Sequence, residues 1–380
     1  MKSFYSKNFT LGILGGGQLG RMFIQEAINY DIRIAILDPS HDAPCAAYAH
    51  KFVCGDFNDF DTVYEFGKDV DVLTIEIEHV NVEALELLEK EGVTVYPAPA
   101  VLRIVKDKGL QKEFYKSHDI PTSDFRLITN KSELESLKLD YPVVQKMRTG
   151  GYDGKGVQIL RAPADLTRAF DVPSILENFV GFDKELAVIV ARNKSGQIKT
   201  FPPVQMEFND EANLVEFLFS PASISEQTEE EAIDLAIRLA EALDFVGLLA
   251  VEMFVSHEGN LVVNEIAPRA HNSGHHTIEA CTTSQYEQLL RAILDLPLGD
   301  TRLITPAVMI NLLGEKNHSG AVRYEGLEEV LSMPGTHLHL YGKSTTKDFR
   351  KMGHLTVTSD SLDEAKSIAR KAMKSVRVVS

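Results

Sequence analysis

The first hundred residues alternate short apolar runs with longer amphipathic ones. "LGILG" (11–15), "RIAILD" (33–38), "KFVCG" (51–55), "VLTIE" (72–76) and "VTVYP" (93–97) are rich in β-branched and large aliphatic residues and read as strands. "QLGRMFIQEAINY" (18–30) and "NVEALELLEKEG" (81–92) carry helical spacing, with Leu85 and Leu88 on one face and the acids on another. Strands alternating with helices predict a parallel sheet covered on both faces. "YPAPAVLRIVKDKGLQKEFYKSHDIPTSDF" (96–125) breaks that rhythm with prolines, a basic helix and a stop at "HDIPT". A boundary is therefore expected near residue 100. The last segment ends in "DSLDEAKSIARKAMKSV" (360–376), a capped amphipathic helix. There is no internal repeat and no low-complexity tract.

A chain of 380 residues is too long for one core and predicts two or three domains. Its apolar share of 44% and charged share of 25% are those of an ordinary globular protein. The net charge of −16 argues against nonspecific binding to nucleic acid or anionic membranes. It leaves room for a local Lys and Arg cluster that holds a phosphate. Cys45, Cys54 and Cys281 lack both a disulfide framework and metal spacing, which predicts reduced thiols in a cytoplasmic protein. No run has the length of a membrane span, and "MKSFYSKNFT" lacks the apolar stretch of a signal peptide.

Four stretches carry candidate chemistry. Gly15, Gly17 and Gly20 form G-x-G-x-x-G after the first strand, and Asp38 closes the next strand, which on paper is a dinucleotide fingerprint. The physics is more general: glycines allow close backbone approach, and the following helix aims its amides at an anion. The turn therefore predicts an anionic group nearby, NAD or otherwise, and a purely structural turn is the alternative. "VVQKMRTGGYDGKGV" (143–157) delivers Lys146 on a strand, then a loop of four glycines whose amides and Lys155 can fold over a polyphosphate.

The third stretch is "LAVEMFV" (249–255) with "NLVVNEIAPRAHNSGHHT" (260–277). Glu252 and Glu265 interrupt apolar strands, and a hairpin at "SHEGN" would set them side by side. Buried acids are costly unless neutralised. With Asn264 and phosphate oxygens they make a hard oxygen site suited to Mg²⁺; a structural ion pair is the alternative. Arg269, His271, Asn272, His275 and His276 follow within eight residues. They fit an anion-binding loop better than zinc, since no Cys or acid is spaced as a third ligand. Last, Lys343, Lys347, Arg350 and Lys351 cluster in "HLHLYGKSTTKDFRKMGHLTV" (337–357).

The strand Lys, the glycine loop, "VEMF" and "NEIAPR" together resemble the ATP-grasp fold of carboxylate–amine ligases. "GGGQLGRM", "RTGGYDGKG", "NEIAPRAHNSGHHT", "LPLG", "MINLLG" and "YGK…RKMGH", in this order from Gly12 to Val357, resemble the N5-carboxyaminoimidazole ribonucleotide synthetases. The resemblance implies an α/β chain of three domains. These are a Rossmann-like unit over 1–100, an ATP-grasp unit over 101–300 with a flap subdomain at about 118–185, and a small C-terminal unit over 301–380. It implies that ATP, with Mg²⁺ (two ions) and bicarbonate, carboxylates the 5-amino group of 5-aminoimidazole ribonucleotide through carboxyphosphate. It also implies a homodimer, and a separate mutase that takes the product.

Site roles carry over from the resemblance. Lys108 and Lys146 flank the ATP phosphates, under a flap over Gly151, Tyr152, Gly154 and Gly156. Glu177, Asn178, Phe179 and Val180 form the adenine hinge, and Glu185 takes the ribose. Glu252, Asn264 and Glu265 hold the metal. Gly17, Gln18, Leu19 and Glu76 border the ribonucleotide, so the glycine turn serves no NAD. Glu78 stands on the same strand end as Glu76. Tyr152, Asp153, Arg269, His271 and Asn272 surround the aminoimidazole and its ribose, with Asp153, Lys155, Arg269 and His271 expected to act in the chemistry. Lys343, Arg350 and Lys351 grip the 5′-phosphate. The chain departs from the family with Asn178 in place of a second Glu, with Lys155 in place of Arg, and with Phe208 near a nucleotide-contacting His, so that adenine contact stays unassigned. The rival readings are a formate-dependent transformylase, which shares the ATP half, an NAD(P) dehydrogenase or sensor, and an inactive scaffold.

Overall fold

The computed structural model describes residues 4, 6–151, 156–209 and 214–380. The N-terminal strands form a five-stranded parallel sheet in the spatial order Lys51–Cys54, Arg33–Asp38, Thr10–Leu14, Val72–Ile75 and Thr94–Val95. Leu11, Ile13, Ile34, Ile36, Val72 and Leu73 are wholly buried, as expected where both faces are covered. The strand order reverses at Thr10–Leu14, so the crevice of this sheet opens between the glycine turn after that strand and Glu76 after its neighbour. The expected basic helix is two helices, Pro99–Lys106 and Lys108–Ser117. Asp107 between them is extended, and its carboxylate accepts the Gly109 (2.7 Å) and Leu110 (3.2 Å) amides, capping the second helix.

A four-stranded antiparallel sheet follows in the order Phe125–Ile128, Ser174–Asn178, Val143–Met147 and Val157–Leu160. The glycine loop joins its last two strands. The largest sheet is antiparallel throughout, in the order Leu261–Ala267, Gly247–Ser256, Phe182–Arg192, Val204–Asn209, Leu214–Ser220, Ala307–Leu313, Lys351–Thr358 and Thr336–Leu340. It runs without a break from the "VEMF" strand into the C-terminal segment. Leu186, Val188 and Val190 point to one face and pack on Ala232, Leu235 and Leu239 of helix Glu226–Ala242. Fully burying each such leucine contributes about 1.5–3 kcal/mol, which fixes the strand's register and presents its odd-numbered residues to the other face. Helix Leu362–Ser375 is capped by Ser361 and sets Ala365, Ala369 and Ala372 against Val308, Ile310, Leu355 and Val357.

Candidate active site

The hairpin through "SHEGN" forms, and Glu252 stands directly opposite Glu265. Ala187 pairs Glu252 on the other side, and Glu185 lies two residues from Ala187, so Glu185, Glu252 and Glu265 share one sheet face. Like charges so placed repel. Lys108 holds Glu265 in an ion pair and is the main cause of that carboxyl's depressed pKa. Burial, then the neighbouring Glu265, pushes Glu252 up; Lys108, Lys351 and Lys146 oppose the rise. Burial, then Glu252 and Glu265, pushes Glu185 up as well. Two carboxylates here therefore lack full compensation. Among the described residues no three His, Cys, Asp or Glu side chains gather closely enough to hold a metal by themselves. A hard cation at Glu252, Glu265 and Asn264 fits the donor set if phosphate oxygens complete its shell.

Lys146 extends from the smaller sheet to the hairpin, donating to Asn264 Oδ1 at 2.8 Å and meeting Glu177 Oε2 at 2.7 Å. Glu177 bridges Lys146 and Lys112, and both Glu177 and Lys112 are buried. Burial opposes the Glu177 charge, but the two lysines outweigh it and hold its carboxyl down at about 2. Burial pulls the Lys112 ammonium down to about 8, against the attraction of Glu177. Ser123 Oγ adds a donor to Glu177 at 2.9 Å. The Glu177 side chain thus orders lysines, while its backbone pairs with Val144 in the sheet. Arg148 grips Asp107 with two nitrogens, and its carbonyl accepts the Lys108 amide at 2.9 Å. That tie joins the base of the glycine loop to the helix bearing Lys108.

The amides of the glycine turn are met by the chain's own carboxyl groups, and burial pushes that of Glu76 up. Glu76 accepts the amides of Gly17 and Leu19, and Asp38 accepts that of Gly16 at 2.7 Å. A helix N-terminus favours a carboxylate, and this one arrives from the adjacent strand end; the same side chain lines a small pocket together with Leu19, Arg269 and Leu289. Asp38 is likewise engaged by the turn and does not reach out to a ribose. Gln18 begins helix Gln18–Asn29, and one turn later Arg21 presses on the "YGK" turn. Gly342 has φ +74°, a backbone conformation that favours glycine, and Arg21 Nη1 lies over it, 2.1 Å from where a Cβ would be. The N-terminal unit thereby abuts Lys343. The Lys343 ammonium donates to the Lys351 carbonyl at 2.7 Å, and Arg350 donates to the Thr345 carbonyl at 2.7 Å. Lys351 reaches far enough inward to oppose the pKa rise of Glu252.

The "RAHNSGHHT" turn divides. Arg269 Nε meets Glu78 at 2.9 Å, His271 Nε2 lies 3.5 Å from Glu252 Oε1, and Asn272 exchanges amide hydrogen bonds with Asn311 at 2.8 and 3.0 Å. His275 and His276 instead enter the core, where burial above all lowers both pKa values, His276 to about 4. They are neutral there and give no cation to an anion-binding loop, which corrects the expectation for these two. Tyr152, Asp153, Gly154 and Lys155 lie outside the described residues; Gly151 and Gly156 flank them. Glu185 sits beside Glu252 on the central strand, while Asn178, Phe179 and Val180 run from the end of strand Ser174–Asn178 toward that strand. Sequence reasoning missed Lys112, four residues from Lys108 on one helix face, a spacing that places two lysines side by side and demands acids for both.

Three family models match in succession: a ribonucleotide synthetase preATP-grasp domain over 9–106, an ATP-grasp domain over 113–286, and a phosphoribosylaminoimidazole carboxylase C-terminal domain over 307–368. The chain is 40% identical to the N5-carboxyaminoimidazole ribonucleotide synthase of Synechococcus elongatus over 91% of its length and 89% of the relative's. It is 39% identical to a chloroplastic phosphoribosylaminoimidazole carboxylase of Vigna aconitifolia, of whose length it spans 65%. The crystal structure of the Thermotoga maritima N5-carboxyaminoimidazole ribonucleotide synthetase superposes with TM-score 0.91 at 42% identity, covering 98% of this chain and 99% of that one. The Aspergillus clavatus synthase in complex with ADP and 5-aminoimidazole ribonucleotide superposes with TM-score 0.88 at 33% identity, covering 96% and 98%. The parallel N-terminal sheet, the two-lysine and carboxylate cleft and these full-length matches agree: the chain belongs to the N5-carboxyaminoimidazole ribonucleotide synthase family of ATP-grasp ligases.

Proposed function

We infer that the chain carries out the ATP-dependent carboxylation of 5-aminoimidazole ribonucleotide to its N5-carboxy derivative, with bicarbonate as carbon source. One observation carries this reading: Lys108 and Lys146 face the Glu252–Glu265 hairpin from two different elements, and His271 comes up beside Glu252 from the following turn. ATP fits between the small sheet and the hairpin, with its phosphates toward the two lysines. Glu252, Glu265 and Asn264 would hold Mg²⁺, which when bound shields the phosphate charges. A bicarbonate oxygen attacks the γ-phosphorus and ADP leaves, giving carboxyphosphate. The 5-amino nitrogen then bonds to the carboxyl carbon, phosphate departs with the bonding electrons, and the nitrogen loses a proton.

Arg269 and His271 orient the acyl group and the ribonucleotide, in company with Asp153 and Lys155 of the glycine loop. Gln18 borders the ribose, and Lys343, Arg350 and Lys351 take the 5′-phosphate. The family resemblance adds two Mg²⁺ ions, a homodimer, a cytoplasmic setting and a separate mutase that consumes the product. Among the described residues no helix is long and apolar enough to cross a membrane.

The test is ADP release with each substrate omitted in turn. Release that needs the ribonucleotide, bicarbonate and Mg²⁺ together supports the reading. Release that follows formate, and ignores bicarbonate, assigns the chain to the transformylase reaction instead.

A further inference from the structure

The turn that brings Arg269, His271 and Asn272 to the cleft has little regular structure of its own, only a single 3₁₀ turn at Asn272–Gly274. A side chain supplies what a neighbouring strand would. Gln285 opens helix Gln285–Ile293 and is wholly buried. Its Oε1 accepts the His271 amide at 3.0 Å, and its Nε2 donates to the His271 carbonyl at 2.9 Å. This amide pairs with the His271 backbone as one ladder residue pairs with another. Nε2 also lies 3.1 Å from His275 Nδ1.

The brace is itself anchored on three sides. The Gln285 backbone N–H donates to Thr277 Oγ1 at 2.8 Å, and Thr277 Oγ1 donates to the Gly274 carbonyl at 2.6 Å. Ser284 caps the helix and donates to Glu26 Oε1 at 2.7 Å, on the glycine-turn helix of the N-terminal unit. Gly274 leaves the space for the amide, since a Cβ there would sit 2.5 Å from Gln285 Oε1. With its backbone so fixed, His271 has its Nδ1 beside Ser273 Oγ at 2.9 Å and its Nε2 turned to Glu252.

We propose that Gln285 is a positioning residue for the carboxylation: its amide clamps the His271 backbone and so sets the imidazole against Glu252 and the reacting groups. The proposal rests on the reading of His271 as a cleft residue given above. Oε1 gives the His271 N–H its acceptor, and Nε2 adds a second donor to a carbonyl that also takes the Gly274 amide at 3.0 Å. Glutamate has the shape and the acceptor but, when ionised, no donor; methionine has the length and neither.

The experiment compares Gln285→Met, Gln285→Glu, His271→Gln and the double variant Gln285→Met/His271→Gln. Steady-state ADP release gives kcat and the ribonucleotide KM, and calorimetry gives ATP affinity. Expected are a tenfold or greater loss of kcat in Gln285→Met, ATP affinity within twofold of the parent, and a double variant no slower than His271→Gln alone. Gln285→Glu should fall between the parent and Gln285→Met, and it carries the comparison if the methionine variant fails to fold. Gln285→Met or Gln285→Glu turning over at the parental rate overturns the proposal. So does a double variant slower than His271→Gln by the full factor of Gln285→Met, which would mean that Gln285 acts elsewhere. A parental rate in His271→Gln would overturn the site reading as well, and so tells the two failures apart.

Discussion

Glu177→Gln tests what the buried charges of the cleft contribute. Glu177 lies between Lys112 and Lys146, and its carboxyl is held at about 2 against an ordinary 4.5. Each tenfold is about 1.4 kcal/mol, so ionisation of this one group stabilises the fold by about 3 kcal/mol at neutral pH. Breaking a buried pair from one side costs about 3–5 kcal/mol by a separate route, which agrees. Lys112 shows the opposing term. Burial holds its ammonium at about 8 rather than 10.5, so much of what Glu177 gains is spent on keeping Lys112 charged. Lys112→Met removes that cost together with one ion pair, and should destabilise by less than about 1 kcal/mol. The sign with pH follows from a depressed carboxyl: the contribution is complete above 4.5 and is lost as pH falls toward 2. Urea unfolding of parent and Glu177→Gln should therefore differ by about 3 kcal/mol at pH 7 and converge below about pH 4.5. Lys146 would also lose its acid, so the KM for ATP should rise in the same variant. A difference under about 1 kcal/mol at pH 7, or one that persists unchanged to pH 3, would refute the electrostatic account.

The remaining predictions concern ligands. Glu265→Gln should keep the fold, by circular dichroism, and abolish turnover; near-normal activity at saturating Mg²⁺ would reject the metal assignment. Calorimetry should detect no NADH or NADPH binding at micromolar concentration, because Glu76 and Asp38 already occupy the turn amides. Arg350→Ala should raise the ribonucleotide KM by about one to two decades, since a charge-assisted hydrogen bond contributes about 1.5–3 kcal/mol, and should leave the KM for ATP nearly unchanged. A rise in the KM for ATP instead would give the basic cluster to the nucleotide.

What the sequence could reveal depended on where the partner of each residue lies. Glu252 and Glu265 were legible because an acid inside an apolar alternation is conspicuous and a five-residue link allows one pairing. The glycine turn was legible as a place for an anion, but the motif says nothing of which anion. Glu76 is 59 residues away along the chain, and only the sheet order puts it there. His275 and His276 read like His271, yet a turn of helix rotates them inward. Asp107 carried an overlooked signal: an extended residue with a capping carboxylate ends one helix and starts the next. Gln285 carried none beyond the Ser284…Glu287 spacing that opens its helix, because a neutral amide in an apolar run has no sequence pattern that names a backbone partner.

The placement of charge explains how an acidic chain can take anionic substrates. The acids far outnumber the bases over the whole sequence, yet Lys108, Lys112 and Lys146 converge from one helix and one strand on Glu177 and Glu265, where the phosphates are proposed to lie. On the other side the basic residues of the "YGK" segment are carried inward by the outer strands of the same sheet that bears Glu185, Glu252 and Glu265. The continuity of that sheet fixes the spacing between the two groups of cations. Between them Lys108 holds Glu265 charged, while burial and the neighbouring acids push Glu252 and Glu185 up. If the cleft takes ATP as proposed, the arrangement that would admit a polyphosphate with its metal would disfavour the polyphosphate alone. In the function proposed above, the register that sets Glu252 opposite Glu265 would make that preference for the metal complex a property of the hairpin itself.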